Sequence, residues 1–454
     1  MEKIYDLLIT GGQIVTGDSI RLADVGVKDG KIAAIGTGLS EEVSKQTIKA
    51  NNKYVLPGII DVHVHPVYLD DVEHVSRVAA YGGITSLFHF AYAKKDEGLM
   101  KKVSEMLEDA SRRSLLDFGL HGGLFDSPMQ VPEIPAVMEL GVKTFKFFLT
   151  YLKQGWYTDD YQLIKAMDIL AERDGMAMVH AENGGGIDYL EDKYLKGPHA
   201  SAKYFNISRP AAFEEEAIFR SICLAEITHC PLYIPHVTSA RALRPIRNAQ
   251  EANLPVFGET CPQYLNLTQD IIEQRGALAK IGPPIRTAED QKALWKALKD
   301  GVLQTVASDH APKTKDIHGD FLAQGFGSPQ IETLFTMTYE GGVNKGRISL
   351  VRLVQVLSEN PARIFGLYPT KGTIQVGSDA DLVIFNPNQE FTIRSENQHS
   401  NVGYTLYEGQ TVLGWPERSF QRGKPVLVDG EVVSSPGSGK FLKTNPAKLD
   451  TVTA

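Results

Sequence analysis

Cysteine is scarce: the 454 residues contain 3, Cys223, Cys230 and Cys261, and none forms a CxxC pair. This argues against a disulfide framework and against a structural zinc site built on thiolates. Basic charge is also in deficit, with 47 Lys and Arg against 55 Asp and Glu, a net charge of −8. No Lys/Arg cluster breaks that average, so no nucleic-acid partner is expected. An uninterrupted apolar run of about 18 residues is missing, and the start MEKIYDLLITGG has no basic segment leading into an apolar one. The expectation is a cytoplasmic protein with no membrane partner. What is present, 43% hydrophobic and 22% charged residues, suits a folded chain with a large core.

At about 150 residues per domain the length allows about three domains, although an α/β barrel absorbs about 250 or more in one piece. The first ~55 residues alternate apolar and polar positions between Gly-rich turns such as Lys28-Asp29-Gly30, and the texture returns in KGTIQVGSDADLVIFNP, YEGQTVLGWP and RGKPVLVDGEVV. Neither piece has enough strands alone, so the two ends are expected to meet in one β-sandwich. Between them lie eight strand candidates: Gly58–His65, Ile84–Phe90, Leu116–Gly122, Val142–Leu149, Met176–His180, Leu232–His236, Val256–Thr260 and Gln304–Asp309. Stretches of helical spacing separate them, among them Tyr161–Arg173, Phe213–Thr228, Ser239–Asn253 and Glu289–Asp300. The fold class is therefore α/β, a (β/α)8 TIM barrel over 56–371 with a composite sandwich from 1–55 and 372–454. An open Rossmann sheet is the competitor, weakened because no GxGxxG follows the first barrel strand.

The strongest chemical signal is Gly58-Ile-Ile-Asp-Val-His-Val-His65. Alternate strand residues share a face, so His63 and His65 project together, with Asp61, and two imidazoles there can hold a divalent metal. The bland reading is a pair of packed core histidines. His180, His236 and Asp309 also end apolar strands, and Lys146 sits inside VKTFKFFL. Six such residues on five strands, all near the end where barrel enzymes place their sites, are unlike independent accidents. Lys146, flanked by Phe145, Phe147 and Phe148, is expected to have a depressed pKa. It is either a snorkelling or salt-bridged lysine, or a neutral amine that takes up CO2 to give a carbamate bridging two metals.

The set HxH, Lys, His, His, Asp resembles the amidohydrolase superfamily. More narrowly, LPGIIDVHVHP, GVKTFKFFLTY, SRPAAFEEEAI, ETCPQYL, GPPIR, SDHAP and NPARIFGL resemble the dihydropyrimidinase/hydantoinase family of cyclic amidases over nearly the whole chain. The resemblance implies two divalent metal ions, usually zinc, on His63, His65, His180, His236, Asp309 and an N6-carboxylated Lys146. It implies a homo-oligomer, commonly a tetramer. The expected reaction opens the cyclic amide or imide C–N bond of hydantoins or dihydropyrimidines by a metal-bridging hydroxide, with Asp309 as proton shuttle. Tyr151 matches the family's donor to the attacked carbonyl oxygen.

Small departures bear on substrate. Relatives that bind dihydropyrimidines carry Ser and Asn where this chain has Gly282 and Phe326, so the ring amide would be read there through backbone groups. Pro66-Val67 follows His65 where dihydroorotases carry an Arg, which disfavours an acidic ring. The loop PVYLDDVEH after His65 is short, and Tyr68, Tyr92, Phe125, Trp156 and Tyr157 are expected at the pocket mouth. Two other readings stay open, an allantoinase or other ureide hydrolase on the same scaffold, and a non-catalytic scaffold paralogue. Retention of the six polar residues opposes the latter.

Overall fold

A computed structural model describes residues 3–197, 201–316 and 318–446. Strands β1 (Tyr5–Val15), β2 (Ile20–Lys28), β3 (Lys31–Gly36), β4 (Ser44–Lys49) and β5 (Tyr54–Pro57) open the chain. The barrel strands follow as β6 (Ile59–Val64), β7 (Ile84–Ala93), β8 (Asp117–Leu124), β9 (Thr144–Phe148), β10 (Met176–His180), β11 (Leu232–Ile234), β12 (Val256–Thr260) and β13 (Thr305–Val306). All eight lie within or across the expected runs, pair in sequence order, and are parallel. The ring closes where Val64 bridges His310 and the His65 N–H donates to the His310 carbonyl at 3.0 Å.

Alternation decides the two sides of each barrel strand. Ile60, Val62, Phe88, Phe90, Met176, Met178, Tyr233 and Phe257 fill the interior, and Phe365 packs below them, with ring centroids 5.2 Å from Phe88 and 5.4 Å from Tyr233. This floor is largely apolar, its buried His121 being satisfied by Thr144 and the Val62 carbonyl, and the cluster of histidines, Lys146 and Asp309 lies above it, at the C-terminal ends of the strands. The helices behave as their spacing predicts at Asp160–Glu172, Ala211–Thr228 and Ala288–Asp300, opened by Asp159 and by the Thr287/Asp290 capping box in the first and last. The stretch expected from Ser239 becomes helical only at Leu243–Glu251. The Ser239 hydroxyl donates to Glu214 at 2.9 Å, holding the preceding turn out of the helix.

The late strands β14 (Leu382–Thr392), β15 (Thr411–Gln421), β16 (Lys424–Val428) and β17 (Glu431–Val432) join β1–β5 in one nine-stranded sheet, with β14 beside β5. Leu7, Ile9, Val25 and Val27 share a core with Ala380, Leu382, Ile384 and Phe420, so the sandwich is built from both ends of the chain. KGTIQ does not form a strand. Lys371 instead points inward and reaches Asp117 of β8 at 2.7 Å, Asp379 at 3.1 Å and Asp381 at 2.5 Å. These carboxylates cluster closely enough to suggest a cation site, but three cationic side chains already balance them: Lys371 among all three, Lys31 on Asp379 and Arg422 on Asp117. After β17 the chain leaves the sheet and runs along the barrel, Phe118 donating to the Lys440 carbonyl and accepting from the Leu442 N–H.

Candidate active site

Nine residues singled out in the sequence, His63, His65, Lys146, Tyr151, His180, His236, Gly282, Asp309 and Phe326, line one cavity of about 280 Å³ at the C-terminal ends of the barrel strands. His63 belongs to β6, Lys146 to β9 and His180 to the last position of β10, while His65, His236 and Asp309 lie just beyond strand ends. Three of the nine hold left-handed backbone, Tyr151 at φ 64°, His236 at 42° and Asp309 at 51°. Non-glycine residues rarely adopt that region, and such strain concentrates where side chains must be aimed.

Donor atoms of His63, His65 and Asp309 fall within 4.8 Å of one another, as ligands of a single ion would. Asp309 Oδ1 is 2.9 Å from His65 Nε2 and 3.2 Å from His63 Nε2, yet His63 Nε2 has no hydrogen bond aligned to it. The other His63 nitrogen is anchored: Nδ1 lies 2.7 Å from Glu259 Oε1, so a proton is held there and Nε2 is the nitrogen turned toward the cavity and Asp309. On the far side, the His180 and His236 rings are 4.6 Å apart. His180 Nε2 bonds Glu182 at 3.0 Å, leaving Nδ1 for the cavity.

Lys146 lies between these groups. Its Nζ is buried without a hydrogen-bond partner among the described residues, 5.3 Å from the Phe90 ring centroid and 5.7 Å from that of Phe148. Burial pushes its pKa down to about 8, against the pull of Asp309 and Glu259. An orphaned, partly neutral amine among four imidazoles and a carboxylate fits a divalent-metal centre and fits poorly with a structural lysine. Burial would raise the Asp309 carboxyl, but His63 and His65 hold it well below the usual carboxylate range. Burial drives the Tyr151 phenol far up, keeping it a proton donor. A Cβ on Gly282 would come within 3.0 Å of Tyr151 Oη and 3.1 Å of Phe326, so glycine keeps the space beneath the tyrosine hydroxyl open.

Several supporting residues escaped the sequence reading. Glu259 accepts from His63, from Tyr233 Oη at 2.8 Å and from the His236 N–H at 3.0 Å, tying β6 and the end of β11 to β12 through one carboxylate. Glu182 joins His180 to the buried Arg209, whose Nη1 donates at 2.8 Å. Burial raises the Glu182 carboxyl, but Arg209 and His180 outweigh it and bring it down to about 2. Asp70 pairs with His310 at 3.0 Å and accepts from Ser400 at 2.6 Å, pinning the short loop after His65. Asp61 turns out to serve backbone, accepting from the His63 and Ser308 N–H groups at 3.2 and 3.1 Å. Of the expected mouth aromatics, Tyr68, Tyr92, Phe125 and Trp156 line the cavity, whereas Tyr157 is not among its lining residues.

Residues 54–412 match the model of the Amidohydrolase family. The D-hydantoinase of Rhizobium radiobacter is 37% identical, covering 98% of this chain and 100% of the relative. This chain belongs to the amidohydrolase family. Within it the likeness is to the cyclic amidases: the L-hydantoinase of Paenarthrobacter aurescens is 34% identical over 97% of this chain and 98% of its own. The crystal structure of dihydropyrimidinase from Brevibacillus agri NCHU1002 superposes with a TM-score of 0.92 at 36% identity, covering 97% of this chain and 98% of that one. The protein is a metal-dependent cyclic amidohydrolase on a TIM barrel with a β-sandwich, acting on a small molecule, and none of its described helices is long and apolar enough to cross a membrane.

Proposed function

We propose that this amidohydrolase opens hydantoin or dihydropyrimidine rings at the amide C–N bond, with two zinc ions held by His63, His65 and Asp309 on one side and His180 and His236 on the other, and a carboxylated Lys146 between them. The observation that carries the reading is the buried, unpartnered Lys146 Nζ within the cavity that the four histidines and Asp309 line. When bound, two divalent cations would supply a water acidic enough to ionise near neutral pH and a Lewis acid for the carbonyl. The remaining work falls to the chain. Asp309, kept ionised, accepts a proton on a carboxylate oxygen and returns it to the leaving ring nitrogen. The Tyr151 phenol donates to the carbonyl oxygen as negative charge develops there, from its place above Gly282. Gly282 and the segment around Phe326 read the ring amide through backbone groups.

Both D- and L-specific names occur among the relatives, so this reading carries no choice of enantiomer. A homo-oligomer, a tetramer by resemblance, is supported by the helix Ala211–Thr228, which leaves Phe219 60% and Ile227 69% exposed. We further propose the division into 1–55 plus 372–454 and 56–371, and a cytoplasmic location.

The test is Lys146→Ala, assayed for bound metal and for opening of hydantoin and dihydrouracil. Metal and activity should both be lost, with partial recovery on adding formate, acetate or propionate, which restore a carboxylate to the cavity. Normal metal content and full activity in the variant would overturn the carbamate assignment.

A further inference from the structure

Three lysines approach the cavity from the β13 loop and the segment beside it, and two are committed to backbone. Lys280 Nζ donates to the carbonyls of Phe321, Leu322 and Gln324 at 3.0, 2.9 and 2.7 Å, clamping the loop that carries Phe326. Lys315 Nζ donates to the Leu278 and Lys280 carbonyls at 3.2 and 2.9 Å. Lys313 differs. Four residues beyond Asp309, it lines the same cavity as the metal-ligand set, and its ammonium sits 4.1 Å from the Tyr68 ring centroid. It makes no hydrogen bond or ion pair among the described residues. Its stem is held in place, passing so close to Gly325 that a Cβ there would lie 2.7 Å from Lys313 Cδ.

A half-buried cation that no carboxylate contacts among the described residues is an expensive arrangement, and the more distant pull of Asp309 only partly offsets it. Burial lowers its pKa, and an arriving anion would reverse that shift. Resting on the hydrolase reading above, we infer that Lys313 is a specificity-determining residue that pairs with a carboxylate on the substituent of the ring substrate. One ammonium in a cavity of about 280 Å³ matches a single-charge group on a small molecule, not a polyanion. The wall where Phe125 stacks on Trp156, centroids 4.3 Å apart, remains for the apolar part of the same substituent. A carboxylate attached directly to the ring is disfavoured by Pro66-Val67 after His65. Lys313 comes from a different loop and meets a carboxylate carried on a side arm.

Two hydantoins of equal size separate the possibilities, one bearing a 5-carboxyethyl arm and one the uncharged 5-carbamoylethyl arm. Ring opening generates the same new carboxylate from both, so any difference between them reports the arm alone. The readout is the ratio of kcat/KM for acid over amide, measured on metal-loaded wild type, Lys313→Met and Lys313→Arg. Wild type should prefer the acid, the ratio should fall about 10- to 100-fold in Lys313→Met, and Lys313→Arg should restore most of it. Raising salt should erode the wild-type ratio and leave that of Lys313→Met flat. An unchanged ratio in Lys313→Met overturns the inference while leaving ring hydrolysis intact. Failure of the metal-loaded wild type to open either ring removes the hydrolase reading, and the role of Lys313 with it.

Discussion

Glu259 does not line the cavity, yet if His63 holds a metal as proposed, Glu259 should set its affinity. Its Oε1 takes the His63 Nδ1 proton at 2.7 Å and the His236 N–H at 3.0 Å, and its Oε2 takes the Tyr233 hydroxyl at 2.8 Å. In Glu259→Gln the amide oxygen can keep the first two bonds. The amide NH2 then faces Tyr233, whose hydroxyl can turn its proton to Thr305 Oγ1, 2.7 Å away, and accept instead. The His63 tautomer survives, and the loss is the charge assistance of two bonds, about 1 kcal/mol each. Metal should bind about 5- to 30-fold more weakly. Glu259→Leu removes the acceptor altogether, stranding three buried donors at about 1–3 kcal/mol apiece and freeing His63 to place its proton on Nε2, toward the metal. Weakening beyond about 100-fold follows. Competition for zinc with a chromophoric chelator gives the affinities, and thermal unfolding of the metal-free proteins separates site loss from fold loss. If the Gln and Leu variants bind zinc equally well, Glu259 does not act by fixing the tautomer.

Tyr151→Phe should lower kcat about 100-fold or more with little change in KM, because its donor acts on charge that exists only in the transition state. Steady-state kinetics decide it, and a rise confined to KM would assign Tyr151 to ground-state binding. Lys371→Met should cost about 3–5 kcal/mol in urea unfolding at pH 7, since among the described residues it leaves buried Asp381 with no ion-pair partner and leaves Asp117 and Asp379 with only Arg422 and Lys31. The pH dependence has a definite sign. Burial would raise Asp379, but Lys371 and Lys31 hold it below its ordinary value. That stabilisation is present above about pH 4 and fades as pH falls through the folded pKa. In the variant, protonation relieves the repulsion, so the stability gap should narrow between pH 7 and pH 4. A gap independent of pH would mean that Lys371 contributes packing and not charge.

The barrel was legible because each strand is an apolar run with one feature out of place. In VKTFKFFL a lysine interrupts phenylalanines, and in GIIDVHVH two imidazoles share a face. The reason lies in the largely apolar floor around Phe365: apart from His121, satisfied by Thr144 and the Val62 carbonyl, and the Tyr233 hydroxyl, the ionisable side chains on inward positions gather toward the open end. The same logic reaches Glu259, the acid in VFGET at an inward position of β12, and Glu182, two residues beyond His180; neither was singled out. They were findable. Asp70 was not, because its partner His310 lies 240 residues away and nothing in PVYLDDVEH marks which of two adjacent aspartates turns inward. Asp71 caps the next helix by accepting from the His74 N–H at 2.9 Å, a local role the sequence does encode.

Lys313 marks a different limit. Its neighbours in the sequence suggest an ordinary charged loop, and three lysines within reach of one cavity are indistinguishable by composition. What sets them apart is the count of carbonyls each ammonium bonds among the described residues, three for Lys280, two for Lys315 and none for Lys313. Metal ligands announce themselves because their chemistry is unusual for an apolar strand. A specificity residue announces itself only by what the fold leaves it without, and that requires the positions of backbone groups contributed by segments around Leu278, Lys280 and Phe321. Substrate class is therefore written in the tertiary contacts of the β13 loop, while reaction class is written in the strand ends.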